Sequence, residues 1–490
     1  MRPTIPAARL RAISTSLIAI ALLAGCGVAR DRTTAGLTLP AAYSAETAAR
    51  MAAPTVPQMS PRKVAPQTAT HTAANSTQQA AAPLPQNATD WQRFGNAELA
   101  DLIAMAHTGA FDLAAAMARV RQAEAYARMA GAALLPQVDA SASAGRSRTD
   151  GDTASNYGAG LSASYEIDVW GGNAAARDAA RASLAATRYG RDTVQLTLTA
   201  GVATTWMQTV GARERTAIAR LNLDAAERVL ALVDTRWRAG MATPLERAQQ
   251  RGLVATQRQA FAARERDVRD AQATLALLLG RPPQDVAVRT AHLHSIASIT
   301  IAPGVPADLL TRRPDVALAE RELAAADANV AAARAALLPR LTLTAGVGVG
   351  HNQVRGLFDN PLYNLAAGLT APVFDAGRLS GARDLALAQR EELLADYRAA
   401  IVNAIGDVSL ALNAIDSLAQ QRQAQEEALA QAREAARLSE SRYRFGAETL
   451  LTVLDAQRTL YAAQDDAVVL HLAQLQAEVA LFKAAGGDWR

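Results

Sequence analysis

The chain has 490 residues, of which 50% are hydrophobic and only 4% aromatic, so alanine and the aliphatic residues carry the apolar count. Lys plus Arg number 50 against 46 Asp plus Glu, a net charge of +4, and the charges are scattered rather than gathered into a stripe that would grip nucleic acid. This balance suits long, closely packed helices and speaks against a large aromatic-lined pocket.

The N-terminus reads as an export signal. Arg2, Arg9 and Arg11 stand ahead of an apolar run over 12–24 that ends in Leu23-Ala24-Gly25-Cys26. The run is shorter than the roughly 20 residues a spanning helix needs. Leu-Ala-Gly-Cys resembles a bacterial lipobox, which implies cleavage after residue 25 and a Cys26 carrying S-diacylglycerol and N-palmitoyl groups. Cys26 is the only cysteine. A lone exported cysteine could also be a free thiol or an intermolecular disulfide partner, but its place directly after the apolar run favours the lipid. Gly27 follows, where aspartate would suggest inner-membrane retention in many Gram-negative bacteria. Residues 26–90 are rich in Ala, Thr, Pro, Gln and Ser. They bury too little to order themselves and predict a disordered tether to a folded body that begins near Trp91.

The body is written twice. Leu134-Leu135-Pro136-Gln137-Val138 returns as Leu337-Leu338-Pro339-Arg340-Leu341, Arg177-Asp178 as Arg383-Asp384, and Arg236-Trp237-Arg238-Ala239-Gly240 as Arg442-Tyr443-Arg444-Phe445-Gly446. The last two pairs share one offset of 206 residues, from 177 to 383 and from 236 to 442. A register held over that distance without insertion is what a continuous helix demands. The repeats divide the body into 91–300 and 301–490.

Each repeat opens with two strand-like segments. Tyr157, Ala159, Leu161, Ala163, Tyr165, Ile167 and Val169 alternate with small or polar residues, as do Leu341, Leu343, Ala345, Val347 and Val349, and again Tyr363, Leu365, Ala367, Leu369, Ala371 and Val373. A weaker alternation follows Val138. The expected strands are 138–148, 157–170, 341–351 and 362–374. About ten residues of alternating polarity match a transmembrane β-strand. Four strands cannot close a barrel, and an open edge cannot sit in lipid, so membrane strands would have to be shared between chains. An antiparallel sheet in a soluble domain is the alternative.

Long proline-free stretches follow each strand pair. No proline occurs between Pro136 and Pro244 or after Pro372. The composition predicts a helical hairpin over 173–279, broken at Gly240, and another over 378–485, broken at Gly446. Leu394, Ile401, Val408 and Ile415 recur every seven residues, with Ile405 and Leu412 between them, as in a coiled-coil seam. The corresponding seam of the first hairpin is less regular and carries Trp206.

Three further segments carry a family resemblance: Leu309-Leu310-Thr311-Arg312-Arg313-Pro314-Asp315-Val316, Ala335-Ala336-Leu337-Leu338-Pro339-Arg340-Leu341-Thr342-Leu343 and Leu451-Thr452-Val453-Leu454-Asp455-Ala456-Gln457-Arg458. With the ending Leu481-Phe482-Lys483-Ala484-Ala485-Gly486-Gly487, they make the chain resemble the outer membrane factor family of TolC and the NodT-type, OprM-like efflux lipoproteins. The resemblance implies a mixed all-α plus transmembrane β fold. A homotrimer would pool four strands per chain into a 12-stranded outer-membrane barrel, continuous with a long periplasmic α-helical barrel.

The same resemblance implies passive efflux of small molecules, delivered by an inner-membrane RND-type pump through a periplasmic adaptor (membrane fusion) protein. The family's periplasmic gate falls on Leu451, Asp455 and Arg458. Their spacing of four and three puts them on one helix face. An ordinary solvated Asp455–Arg458 pair is the bland alternative. At the offset of 206 the first repeat has Leu245, Gln249 and Gly252 and so lacks the charges. Adaptor contact falls on the hairpin tips, Arg238, Gly240 and Thr243 in the first repeat and Arg444, Gly446 and Thr449 in the second. Ala110 stands where relatives often carry asparagine.

No convergent catalytic site is legible, so the sequence predicts neither an enzyme nor a soluble cofactor. His292 and His294 lie in a proline-flanked connection with no further ligand nearby in sequence, and no metal is expected. Gly346-Val347-Gly348-Val349-Gly350 lacks the lysine of a phosphate loop and sits inside a strand alternation. A type I protein-secretion duct, or a lipid-anchored coiled-coil adaptor, are the competing readings.

Overall fold

The computed structural model describes residues 33–37, 39–40, 91, 94–149, 152–299 and 306–487. The expected signal segment, Cys26 and most of the expected tether lie outside the described residues.

After two helices, α1 (Ala97–Gly109) and α2 (Phe111–Ala132), the order is β1 (Gln137–Thr149), β2 (Asp152–Ile167), α3 (Gly172–Arg238) and α4 (Pro244–Leu278). Helix α5 (Pro314–Ala335) then leads into β3 (Arg340–His351), β4 (Pro361–Thr370), α6 (Arg378–Arg444) and α7 (Leu450–Ala484). Both α3 and α6 have 67 residues, and both α4 and α7 have 35. At 1.5 Å per residue the longer helices rise roughly 100 Å. The period-two stretches lie in the strands, although β2 stops at Ile167 and β4 at Thr370, short of the expected ends. Asp168 is withdrawn from the ladder because its carboxylate accepts the Asn173 and Ala174 N–H groups at the start of α3. Asp375 does the same for Gly377 and Leu379 at the start of α6. These carboxylates supply the acceptors that helix N-termini lack.

The chain forms two compact units. One comprises Ala115–Asp192 and Pro314–Val402 with the described residues of the N-terminal segment. It holds a four-stranded sheet in the order β1-β2-β3-β4, antiparallel throughout. Paired residues share a face. The register therefore places Val138, Ala140, Leu161, Ala163, Leu343, Val347, Tyr363 and Leu365 on one face, and Ser141, Ser162, Ser164, Thr342, Thr344 and Asn364 on the other. The apolar face is bare: Tyr363 is 90% and Leu365 81% exposed, and every residue of β4 is exposed. In the same unit, the Thr33 N–H and hydroxyl donate to Asp327 on α5, and the Arg398 guanidinium of α6 donates to the Ala35 carbonyl. This part of the expected tether is pinned to helices.

The other unit comprises Thr193–Arg313 with residues from 39–114 and 403–490. Trp91 lies against Phe94 and edge-on to Phe482. Glu98 accepts from the Thr290 hydroxyl and N–H, the Arg289 N–H and the Trp206 indole. Burial alone would raise its pKa, but these hydrogen bonds outweigh it and hold the carboxyl below the usual value. Arg215 grips Asp465 bidentately at 2.7 and 2.6 Å, and Arg264 joins the same carboxylate. Buried Arg313 reaches Asp407 at 2.9 Å and also the Ala404 and Ala484 carbonyls, which gives the Arg-Arg-Pro-Asp element a structural role. Ala110 takes φ −70°, ψ 123°, a conformation open to alanine, so asparagine is not required there.

Candidate functional site

The site is built on the ends of the two hairpins. Helix α3 stops in a Schellman motif: the Met241 N–H bonds the Arg236 carbonyl and the Gly240 N–H bonds that of Trp237, with Gly240 at φ +73°. Helix α6 stops the same way, the Ala447 and Gly446 N–H groups reaching the Arg442 and Tyr443 carbonyls, with Gly446 at φ +76°. A residue with a Cβ is strained in that left-handed region, which is why both breaks fall on glycine. The returning helices are capped by Thr243, in a full capping box with Glu246, and by Thr449, which accepts the Thr452 N–H.

Beneath the tips, Leu223, Val229 and Val233 of α3, Leu253 and Val254 of α4, Tyr443 of α6 and Leu450, Val453 and Leu454 of α7 form one buried cluster. The two tips are also tied directly. The Arg236 guanidinium donates to the Tyr443 carbonyl at 2.6 Å and lies over the Tyr443 ring at 4.6 Å. Burial raises the Tyr443 pKa above its ordinary value, the Glu246 charge raises it further, and Arg236 partly opposes both. The tip surface is apolar in places, with Met241 64%, Leu245 66% and Phe445 83% exposed.

Leu451, Asp455 and Arg458 share the exposed face of α7, opposite buried Val453, Leu454 and Gln457. Among the described residues no side-chain partner engages Asp455 or Arg458 within the chain. The corresponding positions of α4 are an exposed Leu245, a half-buried Gln249 and an exposed Gly252. The tips and the three positions expected to gate thus lie in one unit. What the sequence did not reveal is the fastening: Arg236 to Tyr443 and Arg215 to Asp465 pair residues far apart in the chain, and Arg247 reaches Asp234 at 2.6 Å across its own hairpin. Arg in a helix interior facing a seam was the available signal.

Bare apolar strands, long capped hairpins and an unpaired charged face are features of a membrane duct, and comparison with known proteins agrees. Residues 102–281 and 305–487 match the outer membrane efflux protein family. The chain belongs to that family. It is 50% identical over 413 residues to the pyoverdine export outer membrane protein OpmQ of Pseudomonas aeruginosa, covering 82% of this chain and 87% of OpmQ. It is 34% identical over 412 residues to the toluene efflux pump outer membrane protein TtgF of Pseudomonas putida, covering 82% and 85%. Among solved structures, the outer membrane protein VceC of Vibrio cholerae superposes with a TM-score of 0.78 at 26% identity, over 82% of this chain and all of VceC. The family member described here is an outer-membrane efflux channel, mostly helical with a few strands.

Proposed function

We propose that three copies of this chain pool their strands into one 12-stranded barrel and export a siderophore of the pyoverdine class. The observation that carries the assembly is the open sheet. Strands β1 and β4 have no outer neighbour among the described residues, while one sheet face is apolar and unburied. In lipid the two ladder edges would leave backbone groups unsatisfied at several kcal/mol each, so the edges must meet those of other chains. The family resemblance supplies the number three and the internal duplication, and the equal helix lengths of the two halves support the duplication. By length and composition α6 and α7 also hold stretches apolar enough to cross a bilayer. A coiled-coil seam asks for the same residues, and 67 residues is about three times a span.

In this reading the helix tips meet a periplasmic adaptor and an inner-membrane pump. Leu451, Asp455 and Arg458 form stacked rings that close the duct, with Asp455 of one chain meeting a cation of the next. Cys26 carries the lipid, an auxiliary anchor. The sheet disfavours the coiled-coil adaptor reading, and the relatives' names favour small molecules over secreted protein.

The substrate class rests on the step from 34% identity with the toluene pump component to 50% with OpmQ. Expression of this chain in Pseudomonas aeruginosa lacking OpmQ tests it. Pyoverdine should return to the medium. If pyoverdine stays in the periplasm while the chain restores export of another compound, the substrate assignment fails and the duct survives. Acylation of Cys26 is read by mass spectrometry, and Cys26→Ser should abolish it while leaving barrel insertion intact.

A further inference from the structure

We infer that Glu214, His292 and His294 form a binding site for a borderline divalent transition-metal ion, of the Zn²⁺, Cu²⁺ or Ni²⁺ class, joining the connection after α4 to helix α3. Nothing in this inference depends on the duct's substrate. The two histidines flank Leu293, which is buried to 1% exposure and opens a single 3₁₀ turn, Leu293–Ser295. Burial of that leucine fixes the backbone. The neighbouring imidazoles emerge side by side, ring centres 5.1 Å apart and 25° from parallel.

Glu214 projects toward them from α3, 78 residues earlier in the chain, which is why the sequence showed no third ligand. Its two oxygens have separate roles. Oε2 accepts the Leu293 N–H at 2.8 Å, which orients the carboxylate, and Oε1 lies 3.8 Å from His292 Nδ1. One ligand atom from each of the three residues lies within 4.8 Å of the other two.

A separation of 3.8 Å is too long for a hydrogen bond. Bonds of about 2.0–2.2 Å to nitrogen and oxygen put tetrahedral ligands roughly 3.4 Å apart. Rotation of the two exposed imidazoles by about an ångström brings the set to that spacing. Two imidazoles and one carboxylate leave a fourth position for water, a donor set that suits zinc, copper and nickel better than calcium or magnesium. The Leu293 N–H is the outer partner that holds a metal-ligating carboxylate in place. His292 and His294 are exposed, so a hydrated ion reaches the site from solvent.

The test uses the full-length protein in detergent, purified without a polyhistidine tag and stripped with chelator. It is titrated with Zn²⁺ by calorimetry and loaded with Cu²⁺ for electron paramagnetic resonance. One ion per chain is expected, with hyperfine structure from two nitrogens. His292→Ala with His294→Ala should weaken binding by more than the roughly 10- to 100-fold that loss of an outer partner costs. Glu214→Gln keeps an oxygen for the Leu293 N–H and should weaken binding with circular dichroism unchanged. Absence of saturable binding in the wild type overturns the site. So does unchanged affinity in the double histidine variant, which would assign the ion to His71, His107, His351 or His471.

Discussion

The two hairpin tips share an Arg-aromatic-Arg-x-Gly pattern and the same backbone, yet their aromatic residues have opposite fates. Trp237 and Tyr443 occupy equivalent places before Gly240 and Gly446, and both helices end in Schellman motifs with glycines at φ +73° and +76°. Trp237 is 40% exposed, with Arg247 of its own hairpin 4.2 Å over its ring. Tyr443 is 1% exposed, with Arg236 of the other hairpin over its ring. Local sequence sets the cap, because the left-handed glycine and the capping threonine act within a few residues. The neighbouring hairpin decides which aromatic is buried. The positions proposed as the gate extend the contrast: Asp455 and Arg458 lie on the exposed face of α7, where α4 offers Gln249 and Gly252.

The largest effect expected from this asymmetry is at the aromatics. Tyr443→Ala removes a buried ring and should cost about 3–5 kcal/mol. Trp237→Ala should cost about 1 kcal/mol, the worth of an exposed cation–π contact. Thermal unfolding at one fixed protein concentration checks both, and equal losses would erase the distinction between tips. Next come the glycines. Gly240→Ala and Gly446→Ala each force a Cβ into the left-handed region and should cost about 1–2 kcal/mol apiece. Here the prediction is equality, since the caps match, and a difference beyond about 0.5 kcal/mol would mean that the environment controls the caps as well.

Smaller again is the gate. Asp455→Ala should raise single-channel conductance in planar bilayers, while Gln249→Ala leaves it unchanged. An exposed ion pair is worth only about 0.2–1 kcal/mol, so the closed state should be weakened rather than abolished. An unchanged trace for Asp455→Ala would remove it from closure. The smallest effect appears only in alkali. The Tyr443 pKa is raised in the folded chain above its model-compound value of 10.0. Its contribution to stability is therefore complete below pH about 10 and is lost as pH rises through the folded value. Tyr443→Phe should flatten that alkaline loss. Its hydroxyl is buried without a partner among the described residues, so the variant should be no less stable at neutral pH.

Much of the fold was legible because its signals are local. Period two over Leu341–Val349 and the proline-free stretches each reflect one element's own geometry. Helices α1 and α5 were harder, although Leu99, Leu102, Ile103 and Ala106 do follow a helical spacing and are buried. Alanine fills so many of the remaining positions that the apolar stripe is faint, as in α5, where Ala319, Ala325, Ala326 and Ala331 are core residues. At the site, glycines and capping threonines could be read directly. Arg236 with Tyr443, and Glu214 with His292 and His294, could not.

The sequence by itself determined where the strands alternate, where the long helices break and how each break is capped, because those outcomes depend on side chains within a few residues of one another. Tertiary structure decided which tip aromatic is buried, which charged residues of α7 stay unpartnered and which carboxylate stands beside the two histidines. Each of those depends on helices distant in the chain, and in an alanine-rich sequence no local signal marks which face will meet a neighbour.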